Sequence, residues 1–363
     1  MCGVSVFGES KVKGLKRILT SIFVGGNLMS IVLLLACCVS TWLSPSSHAH
    51  LSVMGLLFPF ILLFNLLFIP FWLIFRPRYV VVPLVGVALC GAYVLDYFPI
   101  HVGSGSTDLG LKIVTWNVKG LSRKGTEGRT AEMLAYVDSL DADVLCLQEF
   151  YGGANCKAVH QHLDSLGYHH AITEGRRIYS RLPLSDVEEM EVASAKKNGM
   201  FTARLLLDDD TVTVFNVHLE CNFIDQDDRT GGKEALRSRE RERLEAEGRH
   251  LWDKLAVSAG YRSMQVDSLT RMLDTRYKGK SVIVCGDFND TPISYAYQQL
   301  ARRLENAFRN RGTGLGVTYN ERFFWIRIDH LFHSKDWETQ CVEIDHSVDI
   351  SDHYPLIVRL KKR

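Results

Sequence analysis

The sequence predicts an α+β fold in which two sheets pack face to face with helices outside, preceded by a helical membrane region. Two observations predict it. Long apolar stretches without charge occupy the first 100 residues. After residue 111, strand-like runs mix with amphipathic helical segments without a strict βαβ rhythm. The 363 residues leave room for a membrane region and one domain of roughly 250 residues with a full core.

Three apolar stretches predict membrane-spanning helices. Residues 20–43 and 51–75 carry no charged side chain and are long enough to cross a bilayer, which takes about 17–25 residues. Residues 79–95 stand at the lower end of that length and form the weakest of the three predictions. If this third stretch only lies in the interface, the following domain is cytoplasmic.

Basic residues set the expected orientation. Four of them precede the first span at 11–17, Arg76 and Arg78 flank the turn after the second, and residues 44–50 carry no Lys or Arg. Basic loops stay in the cytoplasm. We therefore expect a multi-pass protein of the plasma (inner) membrane with an extracytoplasmic domain. Residues 34–37 also resemble a lipoprotein cleavage signal, and cleavage there leaves the domain on the same side.

The chain divides into a membrane region at 1–100, a Gly/Ser-rich linker at 101–110 and one domain at 111–363. From residue 100 onward there are 36 Lys and Arg against 39 Asp and Glu, a net charge of −3, which argues against a tight non-specific grip on nucleic acid. The nine cysteines form no CxxC pair, so a zinc site is not expected. Whether Cys156, Cys221 and Cys341 include one disulfide stays open.

Two helices and one charged segment are predicted within the domain. Residues 130–140 place apolar side chains on one helical face, and Val266, Leu269 and Leu273 mark a second amphipathic helix. Residues 237–249 alternate Arg and Glu, as in the pair Arg241 and Glu245. We interpret this segment as a solvated, self-paired helix, with a substrate-binding arm as the alternative.

Polar side chains suited to phosphate chemistry end or follow six short runs of the domain. These runs are 113–117, 144–149, 212–218, 282–289, 327–330 and 351–353. In a layered fold, strand ends gather at one rim, so polar groups far apart in sequence can converge there. Their inventory of amides, carboxylates and imidazoles fits a divalent-ion phosphodiesterase.

The carboxylates and amides of these runs have distinct predicted tasks. Asp287 and Asn289 point to the same side of an extended chain, where the carboxylate can accept a proton from water and the amide can donate to phosphate. Glu149 ends an apolar run and must be paired, hydrogen-bonded or bound to a metal. Asn117 can steady the same ion or a phosphate oxygen. Hard oxygen ligands favour Mg²⁺, or Mn²⁺, over zinc.

Two histidines complete the candidate site. His218 lies within a hydrophobic strand, where a single histidine is more often a structural residue. We include it among the candidate site residues because the other five polar runs accompany it. His353 follows Asp352 and precedes the last strand, where it can contact phosphate. A carboxylate on its far ring nitrogen would fix the tautomer and favour the imidazolium, and Asp329 is the candidate for that partner.

The order of the motifs resembles the endonuclease/exonuclease/phosphatase superfamily with its deoxyribonuclease I-like fold. TWN at 115–117, LQE at 147–149, NVHLE at 216–220, GDFND at 286–290, RIDH at 327–330 and SDHYP at 351–355 carry the resemblance. A Gly-Leu-Gly-x-Thr-Tyr stretch at 314–319 is similar to membrane-anchored bacterial members. Arg176 and Arg177 depart from the small residues usual at their positions.

The resemblance implies a four-layer α/β/β/α sandwich with the site at one rim. It implies that Asn117 and Glu149 handle the metal and that Asp352 lies close to it. Two further assignments follow by motif: Asp287 and Asn289 place water and hold phosphate, and Asp329 orients His353. His218 and His353 would contact the scissile group, and the identity of the general base stays open.

We therefore expect an Mg²⁺-dependent phosphoesterase tethered to a lipid bilayer. Nucleic acid is the first candidate substrate, which makes the protein a membrane-anchored nuclease. Lipid head groups or inositol phosphates are the second candidate, favoured by the tether and the weakly acidic domain. A catalytically inactive binding module on a membrane anchor is the alternative from another class. No protein partner is expected.

Overall fold

A computed structural model describes residues 4–101, 110–122, 128–208, 210–224, 226–238, 240–321 and 324–363. Residues 102–109, most of the predicted linker at 101–110, lie outside these residues. The N-terminal region is helical, with two 3-10 turns at Val53–Leu57 and Pro77–Val80. Its helices are α1 (Val4–Ser40), α2 (Pro45–Ser52), α3 (Phe58–Phe75), α4 (Val81–Leu89) and α5 (Gly91–Tyr97).

Two N-terminal helical stretches are long and apolar enough to cross a membrane. They span Gly14–Ser40 and Pro45–Phe75, each with a mean hydropathy of 2.4, and they support membrane anchoring. The third predicted span is not one straight helix, because Pro77–Leu89 and Gly91–Tyr97 meet at a bend of 69°. The bend falls at Cys90, whose backbone leaves helical geometry (φ −99°, ψ 12°) just before a glycine, a poor helix former.

The first two apolar helices run antiparallel and are joined by buried amides. Asn65 Nδ2 on α3 donates to Ser30 Oγ on α1 over 2.9 Å, and Trp72 Nε1 donates to Asn27 Oδ1 over 3.2 Å. Residue numbers thus rise along α3 as they fall along α1. Such polar contacts join helices where lipid offers no hydrogen-bond partner.

The bent pair α4–α5 runs in the same direction as α1. Gly86 lies against Ile31, and Tyr93 Oη accepts a hydrogen bond from Trp42 Nε1 over 2.9 Å. Residue numbers rise together along both segments. As a result, α1 and α5 end on the same side of the helical region.

The rest of the chain forms fourteen strands and six helices within the described residues. The helices are α6 (Thr130–Leu140), α7 (Ala154–Ser165), α8 (Gln226–Ser238), α9 (Arg241–Asp274), α10 (Tyr295–Ala301) and α11 (Ala307–Arg311). The strands are β1 (Leu111–Asn117), β2 (Val144–Gln148), β3 (His169–Thr173), β4 (Arg176–Ser180), β5 (Leu184–Met190), β6 (Gly199–Leu206), β7 (Thr211–His218), β8 (Val282–Asp287), β9 (Glu305–Asn306), β10 (Tyr319–Glu321), β11 (Phe324–Ile326), β12 (Asp329–His333), β13 (Trp337–Ile344) and β14 (Leu356–Lys362).

The strands form two six-stranded sheets and one hairpin. The first sheet has the order β13-β14-β1-β2-β4-β3, the second has the order β5-β6-β7-β8-β12-β9, and β10 pairs with β11. Apolar side chains from both sheets fill the space between them, including the buried thiols of Cys146 and Cys285. The outer face of the first sheet packs on α6 and α7, and that of the second packs on α9 and α10. The predicted four-layer α/β/β/α sandwich is confirmed.

Smaller predictions have mixed outcomes. The helix over 130–140 is confirmed as α6, and Val266, Leu269 and Leu273 lie on the buried face of α9. Residues 237–249 do not form one helix, because α8 ends at Ser238 and α9 begins at Arg241. Within α9, Arg241 Nε lies 2.7 Å from Glu245 Oε1 with both side chains exposed, so the self-paired surface is confirmed. The thiols of Cys156, Cys221 and Cys341 are free.

Candidate active site

Backbone pairing in the second sheet aligns three predicted site residues. β7 runs parallel to β8 with His218 opposite Asp287, and β12 runs antiparallel to β8 with Asp329 opposite Asp287. Paired residues on neighbouring strands, about 4.7–4.9 Å apart, point to the same face of a sheet. All three side chains are buried. They form one polar row at the end of an otherwise apolar sheet.

One side-chain amide joins the two sheets. Asn117 ends β1 opposite Gln148, the last residue of β2, and Glu149 follows directly. Asn117 Nδ2 donates to Glu149 Oε1 over 3.0 Å and to Asp287 Oδ2 over 2.9 Å. Residues 32 and 170 positions apart from Asn117 therefore meet at a single nitrogen. Glu149 and Asp287 lie in the same pocket.

His353 is held by a carboxylate on one ring nitrogen and faces another carboxylate with the other. Its Nδ1 lies 2.9 Å from Asp329 Oδ2, and its Nε2 lies 3.8 Å from Asp287 Oδ2. The backbone oxygen of His353 accepts a hydrogen bond from Trp116 Nε1 over 2.8 Å. The ring of Tyr319 packs edge-on against the imidazole, with the two ring centres 4.9 Å apart. The imidazole is thus oriented from several sides.

The charges of this cluster shift the pKa values of His353 and Asp287. Burial lowers the pKa of His353, but the carboxylates of Asp329 and Asp287 together outweigh burial and raise it to about 10. Burial raises the pKa of Asp287 to about 7, against the opposing charge of His353. At neutral pH the imidazole of His353 is therefore a cation. The carboxyl group of Asp287 is protonated in a part of the molecules and ionised in the rest.

His218 occupies the opposite side of the same pocket as a neutral ring. Its Nε2 lies 3.7 Å from Glu149 Oε1 and 3.8 Å from Asp287 Oδ2. Asn198 Nδ2 donates to this nitrogen over 3.0 Å and to Leu219 O over 3.1 Å. Burial lowers the pKa of His218 to about 3, assisted by the charges of Arg176 and His353. Nε2 is therefore an acceptor, and the ring proton is on Nδ1.

Two site residues have left-handed backbone geometry at the ends of their strands. Glu149 has a φ of 50° and Asn289 a φ of 51°, which costs a residue with a side chain about 1–3 kcal/mol. The backbone nitrogen of Asn289 donates to Asp287 Oδ1 over 2.8 Å, and its Nδ2 donates to Leu219 O over 3.0 Å. One amide hydrogen of Asn289 is thus used in a hydrogen bond within the protein. The left-handed backbone at Glu149 and at Asn289 turns the chain at the rim of the sheets, where the site lies.

Asp352 reaches the cluster through intermediaries. Its carboxylate forms an ion pair with Lys119 Nζ, and the Lys119 backbone nitrogen donates to Asn117 Oδ1 over 3.1 Å. Ser351 Oγ donates to the backbone oxygen of Asn117 over 2.7 Å. Asp287, Asp329 and His353 also place one possible ligand atom each within 4.8 Å of one another, but a protonated His353 has no lone pair for a metal, so the two carboxylates are the usable donors of this set.

The donor set fits a divalent cation with oxygen ligands. Glu149 and Asp287 both accept from the same amide, and among the described residues neither carboxylate pairs with a lysine or arginine. The buried Oδ1 of Asp329 has no hydrogen-bond partner within the described part of the chain. The imidazolium of His353 is the one cationic side chain that the described residues place against Asp287, and Glu149 is partly exposed, so the three carboxylates leave negative charge for a bound cation to balance. Oxygen donors without thiolates suit Mg²⁺ or Mn²⁺.

Sequence reasoning missed several residues that shape the pocket. Asn198, which holds His218, lies in a loop and belongs to no recognisable motif. Lys119 could have been noticed, because it is a basic residue only two positions after Asn117, a predicted metal-site residue. Gln148 Nε2 donates to Asn216 Oδ1 over 2.8 Å, and Asn216 Nδ2 donates to Leu147 O over 3.0 Å. This buried amide pair fastens the two sheets directly beneath the site.

The two arginines that depart from the family pattern, Arg176 and Arg177, pack against other residues of the hydrolase domain. Arg176 is buried, and its Nη2 lies 2.6 Å from Glu189 Oε1. Arg177 packs over the ring of Phe150, with its guanidinium carbon 5.6 Å from the ring centre. Both guanidinium groups are therefore engaged by the domain itself.

The fold and this pocket define a phosphoesterase with a two-sheet α/β/β/α architecture. Residues 114–353 match the model of the Endonuclease/Exonuclease/phosphatase family, and the chain belongs to that family. It is a hydrolase of phosphate esters, in a family whose enzymes generally depend on a divalent metal. Residues 20–97 match a domain of unknown function, DUF8431.

Solved structures share the fold at low sequence identity. One is an endonuclease/exonuclease/phosphatase from Bacteroides vulgatus, with a TM-score of 0.52, 15% identity and coverage of 70% of this chain and 100% of that chain. Another is D. rerio TDP2 complexed with single strand DNA product, with a TM-score of 0.51, 15% identity and the same two coverages. At this identity the likeness shows the fold alone. No curated protein matches the chain.

Proposed function

We propose that the protein hydrolyses a phosphodiester by in-line attack of water, with Mg²⁺ as its metal. The observation that carries this proposal is the amide of Asn117, which joins Glu149 to Asp287 beside the buried pair of His353 and Asp329. This arrangement combines a cation site, a proton acceptor and a fixed positive charge in one pocket. A metal ion and a fixed positive charge stabilise the charge that develops during phosphoryl transfer, and a proton acceptor activates the attacking water.

Asp287 and His353 have complementary tasks in this mechanism. With a pKa of about 7, Asp287 in its ionised form can orient the attacking water and accept its proton at neutral pH. The P–O bond opposite the water breaks, and the leaving alkoxide takes a proton from solvent. His353 is already protonated, so it donates to a phosphoryl oxygen and stabilises the charge of the pentavalent transition state. Asp329 orients the imidazole. The pKa values thus favour Asp287 over His353 as the proton acceptor.

The other site residues hold the substrate and the ion. Asn289 offers its second amide hydrogen to a phosphate oxygen. His218, held by Asn198, would lie beside the scissile group without donating to it from Nε2, which carries no hydrogen. Glu149 and Asn117 would hold Mg²⁺, and Asp352, which contacts Lys119, would lie close to it. When bound, Mg²⁺ neutralises the charge that develops on the phosphate oxygens.

The sequence ranks nucleic acid first as the substrate, and one structural observation favours a lipid head group. Ile293, four residues after Asn289, packs among Leu34, Cys37 and Phe58 of the apolar helical region. Four residues span at most about 14 Å. The pocket therefore lies close to the end of the membrane helices, where a phospholipid head group is within reach.

A substrate panel with the full-length protein in detergent tests the proposal. Plasmid, single-stranded DNA, sphingomyelin, phosphoinositides and bis-p-nitrophenyl phosphate would each be incubated with Mg²⁺ or with EDTA. Mg²⁺-dependent cleavage of DNA alone supports the nuclease, and cleavage of lipid alone supports the head-group hydrolase. Full activity in His353→Ala contradicts the assigned mechanism. No cleavage of any substrate contradicts hydrolysis altogether and favours the inactive binding module.

We also propose that the protein is a multi-pass protein of the plasma (inner) membrane with residues 111–363 outside the cytoplasm. The domain boundaries at 1–100, 101–110 and 111–363 belong to this proposal. Support comes from the direction of the helices, since α1 and α5 both end beside the hydrolase domain, whereas Arg76 and Arg78 follow the far end of α3. Alkaline phosphatase fused after residue 100 should be active, and an inactive fusion with a stable protein level contradicts this topology.

A further inference from the structure

We propose that the N-terminal helical region is a docking partner that holds two loops of the hydrolase domain beside the active site, rather than an anchor on a free linker. The first docking loop is residues 290–294, directly after Asn289. The second docking loop is residues 312–318, directly before Tyr319. This inference gives the domain of unknown function at 20–97 a role of its own, and only its activity measurement rests on the proposed hydrolase function.

The first docking loop makes an apolar contact that leaves no room for a side chain. Ile293 is buried among Leu34, Cys37 and Phe58. A Cβ added to Gly55, in the 3-10 turn between α2 and α3, would lie 1.8 Å from the backbone oxygen of Ile293. Backbone therefore meets backbone at Gly55, a closeness that a flexibly tethered domain does not need.

A buried carboxylate from the helical region provides specificity. Asp96 near the end of α5 is buried, accepts from Gln298 Nε2 over 2.8 Å and forms an ion pair with Arg309 on α11. Its backbone oxygen accepts from the guanidinium of Arg327. A buried charge that loses its partner is strongly destabilising. Within the described residues, the charged partner of Asp96 comes from the hydrolase domain.

The second docking loop and α10 add further contacts. Gly314 N donates to Pro99 O over 2.9 Å, and His101 Nδ1 lies 2.7 Å from Gly312 O. On α10's C-terminal side, the guanidinium carbon of Arg302 lies 3.6 Å from the ring centre of Trp42. Contacts therefore extend from the end of α1 to the residues after α5.

Both docking loops adjoin residues of the active site. The first follows Asn289, and the second leads to Tyr319, whose ring packs against His353. Arg327 also donates from Nη1 to Leu315 O over 2.8 Å and precedes Asp329 by two residues. Docking therefore restrains the backbone on either side of the pocket, and we expect its loss to lower catalysis as well as association.

A cleavable linker in the full-length protein tests the docking. Residues 103–107 would be replaced by a protease recognition sequence, and the protein would be purified in detergent with an affinity tag at the N-terminus. After cleavage, the hydrolase fragment should stay on the affinity resin with the helical fragment. Complete release of the hydrolase fragment from the otherwise unchanged protein overturns the proposal.

Matched variants show whether the named contacts are responsible. Arg309→Gln should raise the dissociation constant of the cut fragments by about tenfold or more. Arg311→Gln on the same helix should leave it unchanged, because Arg311 bonds to Thr339 O and Glu338 within the hydrolase domain. Equal retention of the two variants contradicts the role of Asp96.

A steric pair gives a second test that does not depend on a buried charge. Gly55→Ala should weaken retention of the hydrolase fragment, whereas Gly91→Ala has nothing within 4 Å of its new methyl group and should not. Hydrolysis of bis-p-nitrophenyl phosphate should fall in parallel with release. If the uncut protein shows no hydrolysis, the proposed function fails, while retention by itself still decides the docking.

Discussion

The imidazole Nδ1 of His353 lies 2.9 Å from Oδ2 of Asp329, although the two residues are 24 positions apart in the chain. Both side chains are buried, so each charge depends on the other. The carboxylate fixes the ring tautomer and keeps the imidazole protonated, which leaves Nε2–H free to donate towards the pocket. This pair converts an ordinary histidine into a permanent cation at neutral pH.

Removing the charge of Asp329 should move the alkaline limb of the pH–rate profile. In Asp329→Asn the pKa of His353 falls from about 10, because burial is then opposed by Asp287 without the larger contribution of Asp329. The imidazolium is lost at lower pH, and kcat should fall by about 10²–10⁴-fold at neutral pH. Initial rates across pH with saturating Mg²⁺ measure both effects. An unchanged alkaline limb contradicts the assignment.

The same pair should link stability to pH. Folding raises the pKa of His353 from 6.5 to about 10, so the pair contributes its full stability below a pH of about 6.5. That contribution is lost as the pH rises through about 10. In EDTA, the denaturation midpoint of the wild type should therefore fall more steeply over this window than that of Asp329→Asn. Parallel curves for the two proteins contradict the linkage.

Glu149 should couple folding to Mg²⁺. A ligand present at one hundred times its dissociation constant stabilises the folded state by about 2.7 kcal/mol. Wild-type protein should thus melt at a higher temperature in Mg²⁺ than in EDTA, and Glu149→Gln should lose most of this shift. Glu132→Gln is the matched control, since Glu132 pairs with Arg129 on the exposed surface of α6. Equal shifts in both variants exclude Glu149 as a ligand.

Asn198 should matter for catalysis although it carried no sequence signal. Its amide donates to both His218 Nε2 and Leu219 O, so Asn198→Ala frees the ring and leaves His218 Nε2 without this donor, whereas Leu219 O keeps its hydrogen bond from Asn289. The loss of a buried hydrogen bond costs about 1–3 kcal/mol. We expect kcat/KM to fall by roughly tenfold or more. Wild-type kinetics in a folded Asn198→Ala protein would show that His218 needs no such support.

Gly286 should tolerate no side chain. Its φ of 143° is open to glycine, and an added Cβ would lie 1.8 Å from the backbone oxygen of Val217. Gly286→Ala should therefore lower the free energy of unfolding by at least about 3 kcal/mol. Gly260→Ala on α9, with open space around the new methyl group, should be neutral or stabilising. Chemical denaturation of the two variants provides the comparison.

Much of the fold was readable from the sequence because local patterns match local structure. Apolar side chains at helical spacing marked α6 and the buried face of α9, and short β-branched runs marked β7 and β8. The bend at Cys90 could not be predicted, because the hydropathy of an uncharged apolar stretch is the same for a straight helix and for a broken one. The break between α8 and α9 was likewise hidden within alternating charges.

The chemical identity of the site came from residue types, and its connectivity came from tertiary structure. Motif order pointed to Asn117, Glu149, Asp287 and His353, but no spacing reveals that the amide of Asn117 joins the two sheets or that Lys119 pairs with Asp352. Strand register made those contacts. Pairing of side chains across strands depends on which strands become neighbours, and that is a property of the whole fold.

By itself the sequence determined the apolar helices, the layered α/β/β/α class, the family and the residue types of the pocket. Only the tertiary structure decided the protonation of His353, the neutral ring of His218 and the docking of the helical region beside the site. The physical reason is that these properties depend on burial and on charges from distant segments. Burial and distance exist only after the two sheets and the helices have packed together.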